Sequence, residues 1–208
     1  MYFLSEKIEF PDVTMATKEG LLAIGGDLSV DRLIHAYQKG IFPWYELEQP
    51  ILWWSPDPRF VLFPKKLKVS RNMKKVLNKD KFKITYNKAF KEVIQQCAQV
   101  KRKGQSSTWI TPKMTQSYHE LHKQGWAKSV EVWKEDELVG GLYGIDLKNG
   151  VFCGESMFSL IDNASKVGFI TLVQQNKYQL IDCQVYTSHL ESLGAEEIPR
   201  AEFLKFLK

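Results

Sequence analysis

Leu180-Ile181-Asp182-Cys183-Gln184-Val185-Tyr186 reads as a buried β-strand that carries two polar residues. Side chains on a strand alternate between faces. Ile181, Cys183 and Val185 then form an apolar face suited to a core, and Leu180, Asp182, Gln184 and Tyr186 share the other. An isolated carboxylate in an apolar setting is costly unless it is hydrogen-bonded or paired. Asp182 beside Gln184, aimed at a cleft, is therefore the first candidate for chemistry. The bland alternative is that Asp182 ties down a loop end through backbone N–H groups.

The chain before this stretch sets its surroundings. Ser129 to Lys134 alternates, Glu135-Asp136 turns, and Glu137 to Ile145 returns, which predicts a β-hairpin. Gly140, Gly141 and Gly144 make the second strand smooth and invite a ligand to approach its backbone closely. Lys148-Asn149-Gly150 turns into a strand, Val151 to Phe158, carrying Glu155. Asn163 or Ser159 then caps a helix on which Ala164, Val167, Gly168, Phe169 and Leu172 recur. A right-handed crossover places the Glu155 and Asp182 strands side by side. The fold class is α+β: a mostly antiparallel sheet with one parallel pairing, flanked by helices. Past Asp182, Ser188 to Ser192 is a helical turn ended by Gly194, and Pro199 to Leu207 closes as a helix.

The N-terminal third is rich in turns. Gly20 to Leu28 has no phosphate-loop spacing. Val30, Leu33, Ile34 and Tyr37 recur at helical spacing, after Asp27 or Ser29 and before Gly40. Phe42-Pro43-Trp44-Tyr45 and Trp53-Trp54-Ser55-Pro56-Asp57-Pro58-Arg59 are rigid, aromatic and proline-punctuated. Such loops plug an interface or stack a base. Trp53 and Trp54 suit the plug, and Trp44 suits the platform. Lys65, Lys66, Lys68, Arg71, Lys74, Lys75 and Lys79 follow with no acid between them; Ser70 caps a helix with Met73, Val76 and Leu77 inward. Lys101-Arg102-Lys103 is a second basic cluster. A charge run is usually a solvated face, but two clusters on a chain of net charge +5 suit a phosphate backbone. Asn87 to Ala98 reads as an amphipathic helix. Thr111 and Pro112 open another, on which Tyr118 is core with a wet hydroxyl.

The totals exclude several classes. The 208 residues suit one large or two small domains, and 44% hydrophobic content argues against disorder. No apolar run approaches the ~20 residues of a membrane span, and the N-terminus lacks a signal-peptide pattern. Cys97, Cys153 and Cys183 form no CxxC, which fits a reducing cytoplasm. His119 and His122 stand three apart without a third ligand, so no metal is expected.

Phe42-Pro43-Trp44, Trp53 to Arg59, Thr108-Trp109-Ile110, Val130 to Trp133, Leu138 to Gly141, Phe152 to Ser159 and Ile181 to Gln184 occur in an order that resembles the leucyl/phenylalanyl-tRNA–protein transferase family. The resemblance runs from about Gly20 to Pro199. It implies an aminoacyltransferase that moves Leu or Phe, and Met less well, from tRNA to the α-amine of proteins beginning in Arg or Lys, marking them for N-degron degradation. It implies a small N-terminal α+β domain (1–60) beside a GNAT-like catalytic domain (61–208), cytoplasmic, with no cofactor and no membrane partner. A monomer is expected because no spare apolar helix face is evident.

The reaction is aminolysis of an ester, which needs proton removal and alignment. An amide is not a base, so Gln184 can only accept the amine N–H or position it. Asp182 is read as holding or polarising Gln184 and the incoming amine, and Glu155 as fixing the adenosine end or the acceptor amine. By the resemblance, Leu142, Met157, Phe169, Leu172 and Ile181 line the side-chain pocket, where Met suits a site accepting Leu and Phe. Trp44 and Trp109 stack the 3′ adenosine, with Tyr37 and Tyr118 near them. Lys65, Lys66, Lys68, Arg71, Lys74 and Lys75 hold the acceptor stem. Two departures stand out: a short link from Val173 to Gln179 without an aromatic near Asn176, and an early end after Leu207. Three rivals compete. A cysteine acyltransferase would use Cys183 and His189, but alternation turns Cys183 away from Asp182. An RNA-binding module leaves the Asp182/Gln184 pair unexplained. A GNAT acetyltransferase would want a pyrophosphate loop before Ala164, and none is present.

Overall fold

The computed structural model describes residues 2–79, 81–100 and 108–208. The basic cluster Lys101-Arg102-Lys103 lies outside the described residues. In chain order the elements are β1 (Tyr2–Leu4), β2 (Leu21–Gly25), α1 (Val30–Gln38), β3 (Phe42–Pro43), β4 (Leu52–Trp54), β5 (Arg59–Leu62), α2 (Arg71–Leu77), β6 (Lys83–Tyr86), α3 (Phe90–Gln99), α4 (Pro112–Lys123), β7 (Ala127–Lys134), β8 (Glu137–Asp146), β9 (Val151–Ser159), α5 (Ala164–Gln174), β10 (Leu180–Gln184), α6 (Ser188–Ser192), β11 (Glu196–Ile198) and α7 (Arg200–Phe203). Among the described residues no helix is long and apolar enough to cross a membrane.

Two sheets result. The small one runs β1-β2-β4-β3, and the large one runs β11-β5-β10-β9-β8-β7-β6. The β7–β8 hairpin forms as expected. β10 pairs parallel with β9, which sets Asp182 opposite Cys153, and every other pairing in the large sheet is antiparallel. β5 lies between β10 and β11, and residue 60 falls inside it.

Helix ends follow local chemistry. Ser70 accepts the Met73 N–H at 3.2 Å and Thr111 accepts that of Met114 at 3.2 Å, satisfying first-turn donors. At α5 the Ser159 hydroxyl takes the Ser165 N–H at 3.1 Å, while Asn163 makes no side-chain cap. The helix expected from Asn87 starts three residues later, at Phe90. Asn87 is left-handed at φ 58°, and its side chain accepts the Ser129 N–H at 3.0 Å. Asn tolerates that conformation and bonds backbone locally, so it ends the turn after β6 instead of opening a helix.

The large sheet is covered on both faces. α5 is apolar nearly all round and buries Val167, Phe169, Ile170, Leu172 and Val173 against one face, together with Ile181 and Cys183 of β10. α1, α3, α4 and the small sheet pack with Leu180, Tyr143, Cys153 and Val61 on the other. The expected β10 alternation holds through the strand. It stops at Gln184, where φ is 64°, so Val185 and Tyr186 are exposed instead of continuing the two faces.

The β8 glycines serve packing within the protein, contrary to the expectation of a ligand approach. A Cβ at Gly140 would meet Ala164 Cβ at 2.6 Å, at Gly141 the Val130 carbonyl at 2.8 Å, and at Gly144 the Cys153 carbonyl at 2.2 Å. Gly144 also sits at the register shift between β8 and β9. The blocking atoms there belong to backbone or to a packed ring, Phe152. Gly144→Ala is therefore expected to lower stability by roughly 2–3 kcal/mol or to prevent folding. Urea unfolding checks this, and an unchanged midpoint would contradict it.

Candidate active site

A cavity of about 310 Å³ opens where the two sheets meet. Leu142, Met157, Phe169, Ile181 and Cys183 give it an apolar wall. Phe42, Pro43, Trp44 and Trp109 form the opposite wall, and Glu155, Asp182 and Gln184 the polar end. Trp44 is 39% exposed. Trp54 donates its indole N–H to the Trp44 carbonyl at 2.7 Å and braces the ring with its own at 5.8 Å. Trp53 is fully buried and donates to the Gly25 carbonyl at 2.9 Å. Trp53 is thus the plug that the sequence suggests.

Asp182 is fully buried and does not stand alone. Arg59 Nε donates to Oδ1 at 2.8 Å and Nη2 to Oδ2 at 2.7 Å, a two-point ion pair. Arg59 Nη1 donates to the Gly40 carbonyl at 3.2 Å, and its guanidinium lies 4.8 Å from the Phe42 ring and 4.7 Å from Phe203. Asp182 Oδ1 also accepts the Gln184 backbone N–H at 2.9 Å. Asp182 therefore meets the backbone of Gln184, not its side-chain amide.

The Gln184 amide goes elsewhere. Its Nε2 donates to Glu155 Oε1 at 2.8 Å, and the Tyr118 hydroxyl donates to Oε2 at 2.8 Å. Tyr37 in turn shares a short hydrogen bond with Tyr118. Burial pushes the Glu155 carboxyl up to about 7, against hydrogen bonds from Tyr118, Tyr37 and Gln184 that hold it down and the Asp182 charge that adds to the rise. Burial and the Glu155 charge push both tyrosines well above their ordinary value.

Several expected site residues sit elsewhere. Tyr37 and Tyr118 do not line the cavity; they lie beneath Glu155, and the Tyr118 hydroxyl is buried and donates to Glu155. α1 and α4 converge there, which a sequence read one helix at a time does not reveal. Leu172 lines a separate cavity of about 200 Å³ with Phe152 and Tyr178. Lys65, Lys66, Lys68, Arg71, Lys74 and Lys75 are all exposed around α2, and Lys66 is paired with Glu196. Cys183 lines the cavity, but burial pushes its thiol up, which disfavours the thiolate that a cysteine acyltransferase would need. His122 is structural: it stacks on Phe90 at 4.2 Å, and its Nδ1 meets the Ala127 carbonyl at 2.9 Å. Among the described residues no group of His, Cys, Asp or Glu is placed to hold a metal ion.

Arg59 is the residue that the sequence reading passed over. The available signal was a cation opening the apolar run Phe60-Val61-Leu62, since a buried charge demands a partner.

Known proteins are similar to this chain along its whole length. The family described as leucyl/phenylalanyl-tRNA protein transferase matches residues 61–208, and its N-terminal domain matches 26–57. The chain belongs to that family. A protein named leucyl/phenylalanyl-tRNA–protein transferase from Christiangramia forsetii is 60% identical over 100% of both chains. Proteins of the same name are 60% identical in Flavobacterium johnsoniae, over 100% of this chain and 99% of that one, and 58% identical in Flavobacterium psychrophilum, over 100% of both. Solved structures are more distant. L-PGS from Bacillus licheniformis shares 11% identity at TM-score 0.43, over 82% of this chain and 57% of that one. A GCN5-related N-acetyltransferase from Kribbella flavida shares 10% at 0.37, over 78% and 58%. As a leucyl/phenylalanyl-tRNA–protein transferase family member, the chain is an aminoacyltransferase.

The raised Glu155 value has a measurable sign. An unfolded Glu ionises at ~4.3, and the folded one at about 7. Between these values the folded state holds the extra proton, so this group's contribution to stability falls as pH rises through the window and levels off above it. The full effect is roughly 4 kcal/mol. Glu155→Gln removes it. From about pH 5 to about pH 8 the unfolding free energy of the variant should therefore improve relative to the native protein. A difference that does not vary with pH would show that Glu155 ionises normally.

Proposed function

We propose that the chain transfers leucine or phenylalanine, and methionine less well, from aminoacyl-tRNA to the α-amine of proteins beginning in Arg or Lys, and so marks them for N-degron degradation. The observation that carries this reading is the cavity: apolar along its length, with Trp44 and Trp109 on one wall and the Gln184–Glu155 pair at its polar end. The apolar part suits the donor side chain. It discriminates weakly among such side chains, by about 1–3 kcal/mol per methylene, which suits more than one donor. The tryptophans suit the 3′ adenosine. The three cysteines are free and buried, which suits action in the cytoplasm. We take the working species to be a monomer.

In the reaction the amine nitrogen attacks the ester carbonyl carbon. The C–N bond forms, the bond to the tRNA 3′ oxygen breaks, and that oxygen leaves with a proton lost by the amine. With Nε2 committed to Glu155, Gln184 has its Oε1 left to accept an amine N–H. Ionised Glu155 polarises that amide and makes Oε1 a better acceptor. Asp182 works as a fixed charge that shapes the Gln184 backbone. The exposed cations around α2 meet the phosphates of the acceptor stem.

A transfer assay tests this. Phe-tRNA carrying labelled phenylalanine is mixed with a peptide beginning in Arg. Label should move to the peptide with the native protein and fall ~100-fold or more with Asp182→Ala while tRNA binding persists. Retained tRNA binding without transfer to Arg or Lys peptides would favour a plain RNA-binding role. The Lys74→Ala/Lys75→Ala variant should weaken tRNA binding and make its salt dependence shallower, by about 0.7–0.9 in log–log slope for each phosphate that is no longer neutralised. An unchanged slope would place the stem elsewhere.

A further inference from the structure

We infer that Arg59 is a positioning residue for transfer, acting through Asp182 on Gln184 and tying the tryptophan wall of the cavity to its polar end. The inference rests on the transfer reading above and adds a residue to it.

Gln184 has a left-handed φ of 64°, which is strained for a residue with a Cβ, so something must hold it. The holder is Asp182, whose Oδ1 takes the Gln184 N–H at 2.9 Å, just where the register between β5 and β10 shifts. This turn aims the Gln184 side chain back at Glu155. Asp182 can do so only if its own carboxylate is fixed. Arg59 fixes it at both oxygens, and both partners are almost completely buried. The third guanidinium contact reaches the Gly40 carbonyl, at the turn that leads from α1 into Phe42 and Trp44. Phe42 lies against the guanidinium and also lines the cavity, while Phe203 of α7 lies against it too. One cation thus joins the tryptophan wall to the polar end that holds Gln184. A Lys at this position has a point charge and cannot supply the planar fork together with the third donor.

The test compares native protein, Arg59→Lys, Arg59→Met, Asp182→Asn and Arg59→Met/Asp182→Asn. Each is assayed for kcat and KM with Phe-tRNA and an Arg peptide, for tRNA binding and for urea unfolding. Arg59→Lys is expected to stay folded and bind tRNA as before, with kcat down about 10- to 100-fold. Arg59→Met leaves a buried carboxylate unpaired and should be both unstable and nearly inactive. Adding Asp182→Asn removes that charge but keeps an oxygen for the Gln184 N–H. The double variant should therefore recover at least about tenfold in kcat over Arg59→Met. If Arg59→Met does not fold, Arg59→Lys and the double variant decide. Native kcat in Arg59→Lys, or a double variant no better than the product of the single losses, would overturn the inference and leave the pair as packing. Absence of transfer by the native protein would instead sink the proposed function, and this inference with it.

Discussion

The buried ion pair between Arg59 and Asp182 is the constraint on which the rest of the site depends. Two charges have left water, and such a pair is often no more stable than apolar residues of the same volume. Its value lies in geometry. The fork fixes a carboxylate, the carboxylate fixes a left-handed backbone, and that backbone turns an amide towards Glu155. Phe42 and Phe203 flank the guanidinium and shield it from solvent, which strengthens the pair.

Two carboxylates at neighbouring strands have been given different electrostatic lives. Asp182 faces a cation at both oxygens. Glu155 has only neutral donors, two tyrosines and an amide, and burial lifts its ionisation to about 7. Burial among neutral donors, not residue type, lets Glu155 change charge near neutral pH. The tyrosine pair beneath Glu155 limits how far burial can drive that rise, because each hydroxyl supports the ionised form.

What the sequence made legible follows from local periodicity. The β7–β8 hairpin and the caps at Ser70 and Thr111 rest on short-range pattern, the parallel neighbours carrying Glu155 and Asp182 on crossover handedness, and all are present. The misreadings share a cause: each depends on contacts distant in sequence. Asn87 looked like a helix start until its bond to Ser129 turned it left-handed. Tyr118 looked wet because its partners come from α1 and β9. The β8 glycines pointed to a ligand, whereas the space is filled by α5, β7 and β9. Arg59 could not be assigned a partner 123 residues away.

The position of β5 has a consequence for how the chain is made. Its strand neighbours are β10 and β11, both near the C-terminus. During synthesis at roughly 5–20 residues per second, Phe60-Val61-Leu62 therefore waits about ten seconds with both edges open. An apolar strand with open edges is an aggregation hazard. Pro58 precedes it, and Pro64, Lys65 and Lys66 follow it, a pattern of breakers and like charges that keeps such a segment from pairing with other chains. The same lysines that face solvent in the finished protein thus guard an unfinished one, and no partial chain that stops short of Gln184 can carry a complete site.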